Sequence, residues 1–145
     1  MPVVVDAGLL IALAIDDDRA STVFALLGRW LASDEELHAP ALLPYEVASG
    51  LTRLVAAGAF PAENVAEAWQ VFSAVPITYH QLLADGPAAV GIALRLRRQS
   101  AYDAAYLALA QRLGAELWTL DGSLARNAGG LGFVVHLAGD SANNA

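Results

Sequence analysis

The chain contains no cysteine and no lysine. Without cysteine there are no disulfides and no thiolate metal ligands. All eight basic residues are arginine, and the formal net charge is −7. That balance is not typical of a passive nucleic-acid binder, a role that normally needs a basic face. It does not exclude an enzyme whose negative charge is gathered at a metal site. Long apolar runs are missing too. The most apolar stretch, Leu9 to Ile15, is far short of the ~20 residues that a membrane span needs. Neither a basic region nor a small-residue cleavage site marks the N-terminus as a signal peptide. A cytoplasmic protein with no membrane partner is the expectation.

What is present describes a well-filled core. Hydrophobic residues make up 57% of 145 and mean hydropathy is +0.47, which suits one domain burying roughly 70% of its unfolded surface. Val3-Val4-Val5 predicts a short buried strand ended by Asp6. Leu9 to Ile15 predicts a helix broken by Asp16-Asp17-Asp18, a run expected to be a solvated loop and helix cap. Val23, Leu26, Leu27 and Trp30 mark one face of a second helix over 19–31. Leu37-His38-Ala39 predicts a strand, and Pro44 the first turn of a helix reaching Ala57. A helix over 62–72 follows, then an edge strand at Val75-Pro76-Ile77-Thr78, placed at the edge by its proline. Gly86-Pro87 opens a helix to Arg98, and Tyr102 to Leu113 predicts another closed by Gly114. Leu117 to Leu120 predicts a strand, 122–127 a short helix and Phe133-Val134-Val135 a last strand. Strands alternating with helices imply an α/β fold with a parallel sheet covered on both faces. One domain over 1–138 is expected, with a polar tail at 139–145 that frays.

Four of these segments put a carboxylate where a hydrophobic run stops: Asp6, Glu46, Asp103 and Asp121. Each has a plain structural explanation. Asp6 and Asp121 follow strands and precede helices, as N-caps do. Glu46 lies in a first helical turn, where the helix dipole favours negative charge. Ser100-x-x-Asp103 matches a capping box. Together they suggest more, because functional groups gather at the carboxyl ends of parallel strands. Like charges ~4 Å apart repel by about 4 kcal/mol at an effective dielectric near 20, so such a cluster raises its pKa values or binds a cation. Oxygen ligands select Mg²⁺ or Mn²⁺ over zinc, and such an ion serves phosphodiester chemistry. The Tyr102–Ala110 segment is apolar nearly all round, so its helix is expected to be buried, and a buried Asp103 needs a partner for its charge. A phospho-acceptor receiver domain also gathers acids at strand ends, but it needs a lysine.

The order Val-Val-Asp, Pro-x-Glu-Val, Tyr-Asp-Ala-x-Tyr-Leu-Ala-Leu-Ala and Leu-x-Thr-Leu-Asp resembles the PIN-domain ribonucleases, and most closely the VapC toxins of toxin–antitoxin pairs. The resemblance runs from about Val3 to Leu137, and the segment around Asp103 is its most specific part. It implies a PIN-like three-layer α/β/α sandwich with a central, mainly parallel sheet. It also implies a Mg²⁺-dependent endoribonuclease, with Mn²⁺ an alternative ion, that leaves a 5′-phosphate and a 3′-hydroxyl. Asp6, Glu46, Asp103 and Asp121 become the catalytic and metal-site residues, with Asp6 and Asp103 ranked first and Asp121 last. An RNA substrate, a cognate VapB-type antitoxin and a homodimer are the implied partners. The family often carries Ser or Thr two residues after its first Asp; here that position is Gly8, and Ser123 is a candidate replacement hydroxyl. Gly8 and the acidic balance keep a second reading open, a PIN-like binding module with weak or no catalysis.

The remaining candidates are secondary. Arg53, one heptad after Glu46 on about the same helix face, suits either an RNA phosphate or an acid. Arg95, Arg97 and Arg98 suit RNA steering or a solvated helix end. His38, His80 and His136 follow no ligand spacing and predict packing or surface roles. Trp30, Trp69 and Trp118 are spaced like core residues.

Overall fold

The computed structural model describes residues 2–98 and 100–137; the expected tail at 139–145 lies outside them. Five strands, β1 (Pro2–Val5), β2 (Glu36–Pro40), β3 (Ile77–His80), β4 (Glu116–Thr119) and β5 (Val134–His136), form one sheet in the order β3-β2-β1-β4-β5. Every neighbouring pair is parallel. Seven α-helices occur among the described residues: α1 (Ala7–Ala14), α2 (Ala20–Ala32), α3 (Leu43–Ala56), α4 (Val65–Ser73), α5 (Gly86–Arg95), α6 (Tyr102–Leu113) and α7 (Gly122–Asn127). The architecture is a three-layer α/β/α sandwich. Helix α1 packs against α2, α3 and α4, whereas α6 lies across β1, β2 and β4 and carries α5.

The central position of β1 follows from its composition. Val4 and Val5 are fully buried, as a strand covered on both faces requires. The chain winds outward from β1 through β2 to β3, then returns to the other side of β1 to lay down β4 and β5. The strand order therefore reverses between β1 and β4. Open α/β sheets form their functional crevice at such a reversal, beyond the carboxyl ends of the strands. Asp6 and Asp121 stand just past those ends, and the Asp6 N–H extends the ladder by donating to the Trp118 carbonyl at 3.2 Å.

Helix α6 is the buried helix that its composition predicts. Every residue from Ala104 to Ala110 is buried, and its alanines let it lie close over three strands. Gly114 closes it with φ 63°, a conformation that costs glycine little. The expected capping box does not form. The N-cap is Ala101 and no side chain caps the first turn, so Asp103 sits inside the helix start without a capping duty.

Other differences are local. Helix α5 ends at Arg95 rather than Arg98, because Arg97 turns into the left-handed region at φ 58°. The helix expected over 62–72 begins as a 3₁₀ turn, Ala62–Asn64, before α4. Val75 and Pro76 precede β3 instead of joining it, although β3 is an edge strand as expected. The aspartate run supplies no helix cap, since the N-cap of α2 is Arg19 without a side-chain cap; Asp17 instead accepts from the Arg19 N–H at 2.8 Å and pairs with its guanidinium at 2.7 Å.

Candidate functional site

Asp6 is held from two sides. Its Oδ1 accepts from the Ala7 N–H at 2.7 Å, at the start of α1. Its Oδ2 accepts from the Thr119 hydroxyl at 2.6 Å. Thr119 is fully buried, and its oxygen also accepts from the Asp121 N–H at 2.9 Å. One hydroxyl at the end of β4 thus ties Asp6 to the backbone of Asp121. Burial pushes the Asp6 carboxyl up to about 6; the charges of Glu46 and Asp103 add to this, while the Thr119 and Ala7 hydrogen bonds oppose it.

Glu46 reaches the same rim from the first turn of α3, where Pro44 stands at the helix start. Its Oε1 accepts from the Tyr106 hydroxyl at 2.6 Å. Tyr106 is one of the largest fully buried side chains in the protein. Burial raises the Glu46 carboxyl, the Asp103 charge adds to the rise, and Arg53 opposes it. Asp103 is raised by burial and by Asp121, and lowered by Arg98. Asp103 and Tyr106 are three apart on α6, so they share a helix face. Glu46, Asp6, Asp103 and Asp121 therefore form a chain of electrostatically coupled acids across the sheet reversal.

Asp121 stands apart from the other three. Its Oδ1 caps α7, accepting from the N–H groups of Ser123 and Leu124 at 2.9 and 3.1 Å. It is exposed and touches the group electrostatically through Asp103. Ser123, the candidate replacement hydroxyl, uses its backbone N–H on Asp121. The hydroxyl beside Asp6 comes from Thr119. Thr119 and Tyr106 are the site residues that sequence reasoning passed over, although both lie inside the motifs that drew attention to their neighbours.

The donor set fits a hard divalent cation. It is all oxygen, and burial raises three partly buried carboxylates, with Glu46 and Asp103 adding to the rise at Asp6 and Asp103 to that at Glu46. No arginine forms an ion pair with Asp6, Glu46 or Asp103 among the described residues. Nor do three His, Asp or Glu side chains form a ready-made metal cage among those residues. Mg²⁺ tolerates such an arrangement, since it binds through one or two carboxylates and keeps several waters.

The secondary candidates divide. Arg53 and Arg98 flank the acids. Arg98 is also held by the Asn127 amide oxygen at 3.0 Å, in the amide orientation that satisfies both groups. Arg95 and Arg97 are exposed. His38 and His80 meet across neighbouring strands, Nδ1 to Nε2, at 2.8 Å. Glu36 lies beyond His38 and Arg112 beyond His80, so both rings serve a packing network. His136 contacts the Leu120 carbonyl at 3.3 Å. Trp30 and Trp118 pack edge to face in the interior, whereas Trp69 is partly exposed beside Phe72.

Parallel sheet, reversal point and acid-lined rim together define a class of α/β domain, and sequence comparison names it. Residues 3–130 match the family model described as PIN domain, and the chain belongs to that family. Within it, the similarity is to VapC-type ribonucleases. The chain is 34% identical over 130 residues to Ribonuclease VapC3 of Pyrobaculum aerophilum, covering 86% of this chain and 93% of that one. It is 39% identical over 127 residues to Ribonuclease VapC3 of Mycobacterium tuberculosis, covering 86% and 85%. Among solved structures, the crystal structure of PAE2754 from Pyrobaculum aerophilum shares the fold, with a TM-score of 0.63 at 24% identity over 88% of this chain and 79% of that one.

Proposed function

We propose that the chain is a divalent-metal-dependent endoribonuclease toxin of the cytoplasm, working as a homodimer and neutralised by a cognate VapB-type antitoxin. The observation that carries the reading is the coupled trio Asp6, Glu46 and Asp103, balanced by no ion-paired arginine among the described residues. The ribonuclease names of the relatives supply the substrate class. No helix among the described residues is long and apolar enough to cross a membrane.

In this reading Asp6, Glu46 and Asp103 hold Mg²⁺ or Mn²⁺ directly or through water, and Asp121 completes the negative rim. A hard cation bound there supplies charge stabilisation to the phosphodiester and acidity to the attacking water. Thr119 and Tyr106 each donate to one carboxylate oxygen, fixing its orientation and leaving the other lone pairs for the ion. Arg53 and Arg98 place positive charge on either side, where an RNA phosphate is drawn in. The test is digestion of total RNA by the purified chain with Mg²⁺, Mn²⁺ or a chelator. Products carrying a 5′-phosphate and a 3′-hydroxyl, formed with metal alone, are expected. The second reading, a binding module without catalysis, is favoured by the lack of a ready-made cage among the described residues. It predicts intact RNA with either metal.

Two substitutions probe the neighbours of Asp6. Thr119→Val keeps the buried shape but removes the hydroxyl shared by Asp6 and Asp121. It is expected to lower cleavage about ten-fold and to cost about 1–3 kcal/mol in a urea titration. Wild-type values for both would show that the hydroxyl orients nothing. Gly8→Ser tests the missing family hydroxyl. A Cβ at Gly8 would meet only the Leu120 Cβ at 3.9 Å, so serine fits without strain. One added hydrogen bond of about 1 kcal/mol gives a few-fold gain in kcat/KM over Gly8→Ala, the control for helix propensity. Equal rates for serine and alanine would sink that prediction.

A further inference from the structure

Two adjoining cavities border the acid rim and share Leu42, Tyr45 and Tyr102. The first, about 370 Å³, contains Glu46 and Arg53. The second, about 520 Å³, continues away from the acids between the ends of β2 and β3 and the starts of α3 and α6, reaching Pro40, His80, Gln81 and Ser100. Its lining is mostly apolar with a few polar groups, the usual character of a small-molecule pocket.

Tyr45 and Tyr102 stand where the two cavities meet. They are 75% and 62% exposed, so the core does not explain them. Each immediately precedes a site carboxylate, Glu46 or Asp103, in the first turn of its helix. A single exposed aromatic is ordinary. Two of them lining one groove beside coupled acids and an arginine match the parts of a single-strand nucleic-acid site, in which rings stack bases and cations meet the backbone. The polar groups of the larger cavity divide in a useful way. Both ring nitrogens of His80 are engaged, by His38 and Arg112. The side chains of Gln81 and Ser100 have no hydrogen-bond partner among the described residues, so they remain available to a base edge.

We propose that Tyr45 and Tyr102 form a stacking subsite for an unpaired nucleobase next to the scissile phosphate, with Gln81 and Ser100 reading its edge. The proposal rests on the ribonuclease reading for the identity of the strand. It commits the groove to RNA, and a protein segment in the same place is the competing outcome.

The test uses the full chain and labelled, unstructured RNA octamers. KM and kcat are measured for cleavage, and Kd by fluorescence anisotropy in an Asp6→Asn background that prevents turnover. The double variant Tyr45→Ala, Tyr102→Ala is expected to raise KM and Kd together by about ten-fold or more, the loss associated with a base stack, with a much smaller change in kcat. Tyr45→Phe with Tyr102→Phe, which keeps both rings, is expected to stay within about two-fold of wild type. Gln81→Ala is expected to flatten the base preference at the cleavage position, read by product mapping across four octamers. Unchanged melting temperatures confirm that the folds are comparable, as the exposure of both rings leads one to expect. Unchanged KM and Kd in the alanine pair would overturn the subsite and leave wild-type cleavage standing. Octamers bound through the tyrosines but never cut would keep the subsite and remove the nuclease reading.

Discussion

Asp103→Ala is expected to reduce Mg²⁺-dependent RNA cleavage on the order of a thousand-fold, corresponding to several kcal/mol of lost transition-state stabilisation, while leaving the metal-free protein at least as stable as wild type. Both halves of that expectation come from the position of Asp103. Its carboxylate accepts no hydrogen bond among the described residues and caps no helix. Its pKa is raised by burial, and its charge pushes up both Asp6 and Glu46. Removing it relieves the repulsion on Asp6 and Glu46 and gives up only the attraction of Arg98, which forms no ion pair with it among the described residues. Asp6→Ala is expected to abolish cleavage as well, but it also strips partners from the Ala7 N–H and the Thr119 hydroxyl. Lost activity there mixes chemistry with stability. Asp103 separates them, through cleavage rate and a thermal melt in chelator. Undiminished cleavage by Asp103→Ala would remove that residue from the chemistry. A marked fall in its metal-free melting temperature would show that the side chain is structural.

The parts of this site legible in the sequence are those whose meaning is local. A buried valine run followed by an acid fixes β1 and the place of Asp6, because a carboxylate ends a fully buried strand. Gly122 to Asn127 forms the short helix expected of it, since Asp121 before it is a good N-cap. Local signals were ambiguous where two chemistries share a pattern. Ser100-x-x-Asp103 reads equally as a capping box, yet the helix starts one residue past Ala101 and the box is not made. What the sequence could not supply was pairing at a distance. Nothing local says that the Thr119 hydroxyl turns to an aspartate on β1's end, or that Tyr106 on α6 donates to Glu46 on α3. Both depend on β4 lying beside β1 and on α6 crossing the sheet. Ser123 is as near to Asp121 in sequence as Thr119, but a residue in the first turn of α7 presents its N–H to the cap. His38 and His80 met for a similar reason, since parallel pairing of β2 and β3 sets His38 opposite Thr78 and His80 opposite Pro40, which leaves the two rings diagonal neighbours.

Stability in chelator is expected to fall as pH rises from about 4 to about 6, and Mg²⁺ is expected to cancel the fall. The Asp6 carboxyl moves from its ordinary 3.8 to about 6 in the folded chain, and Glu46 and Asp103 move in the same direction. Across that window the folded state therefore binds more protons than the unfolded one, so stability declines with rising pH. Asp6 alone accounts for about 3 kcal/mol once the pH has passed its folded value, by linkage between the two pKa values. A cation binds the deprotonated carboxylates, so its affinity climbs over the same interval. Saturating Mg²⁺ then adds about 2.7 kcal/mol at one hundred times its Kd. The expected melting curves lie close together at pH 4.5, with or without metal, and separate by pH 7.5. Asp6→Asn keeps an acceptor for the Ala7 N–H but cannot ionise. It is expected to lose most of the decline in chelator and most of the metal response. A wild-type melting temperature that rises through this window in chelator would mean that Asp6 is charged in the folded chain without a metal. No Mg²⁺ or Mn²⁺ shift at pH 7.5 would mean that the coupled acids are not a cation site, and the binding-module reading would take its place.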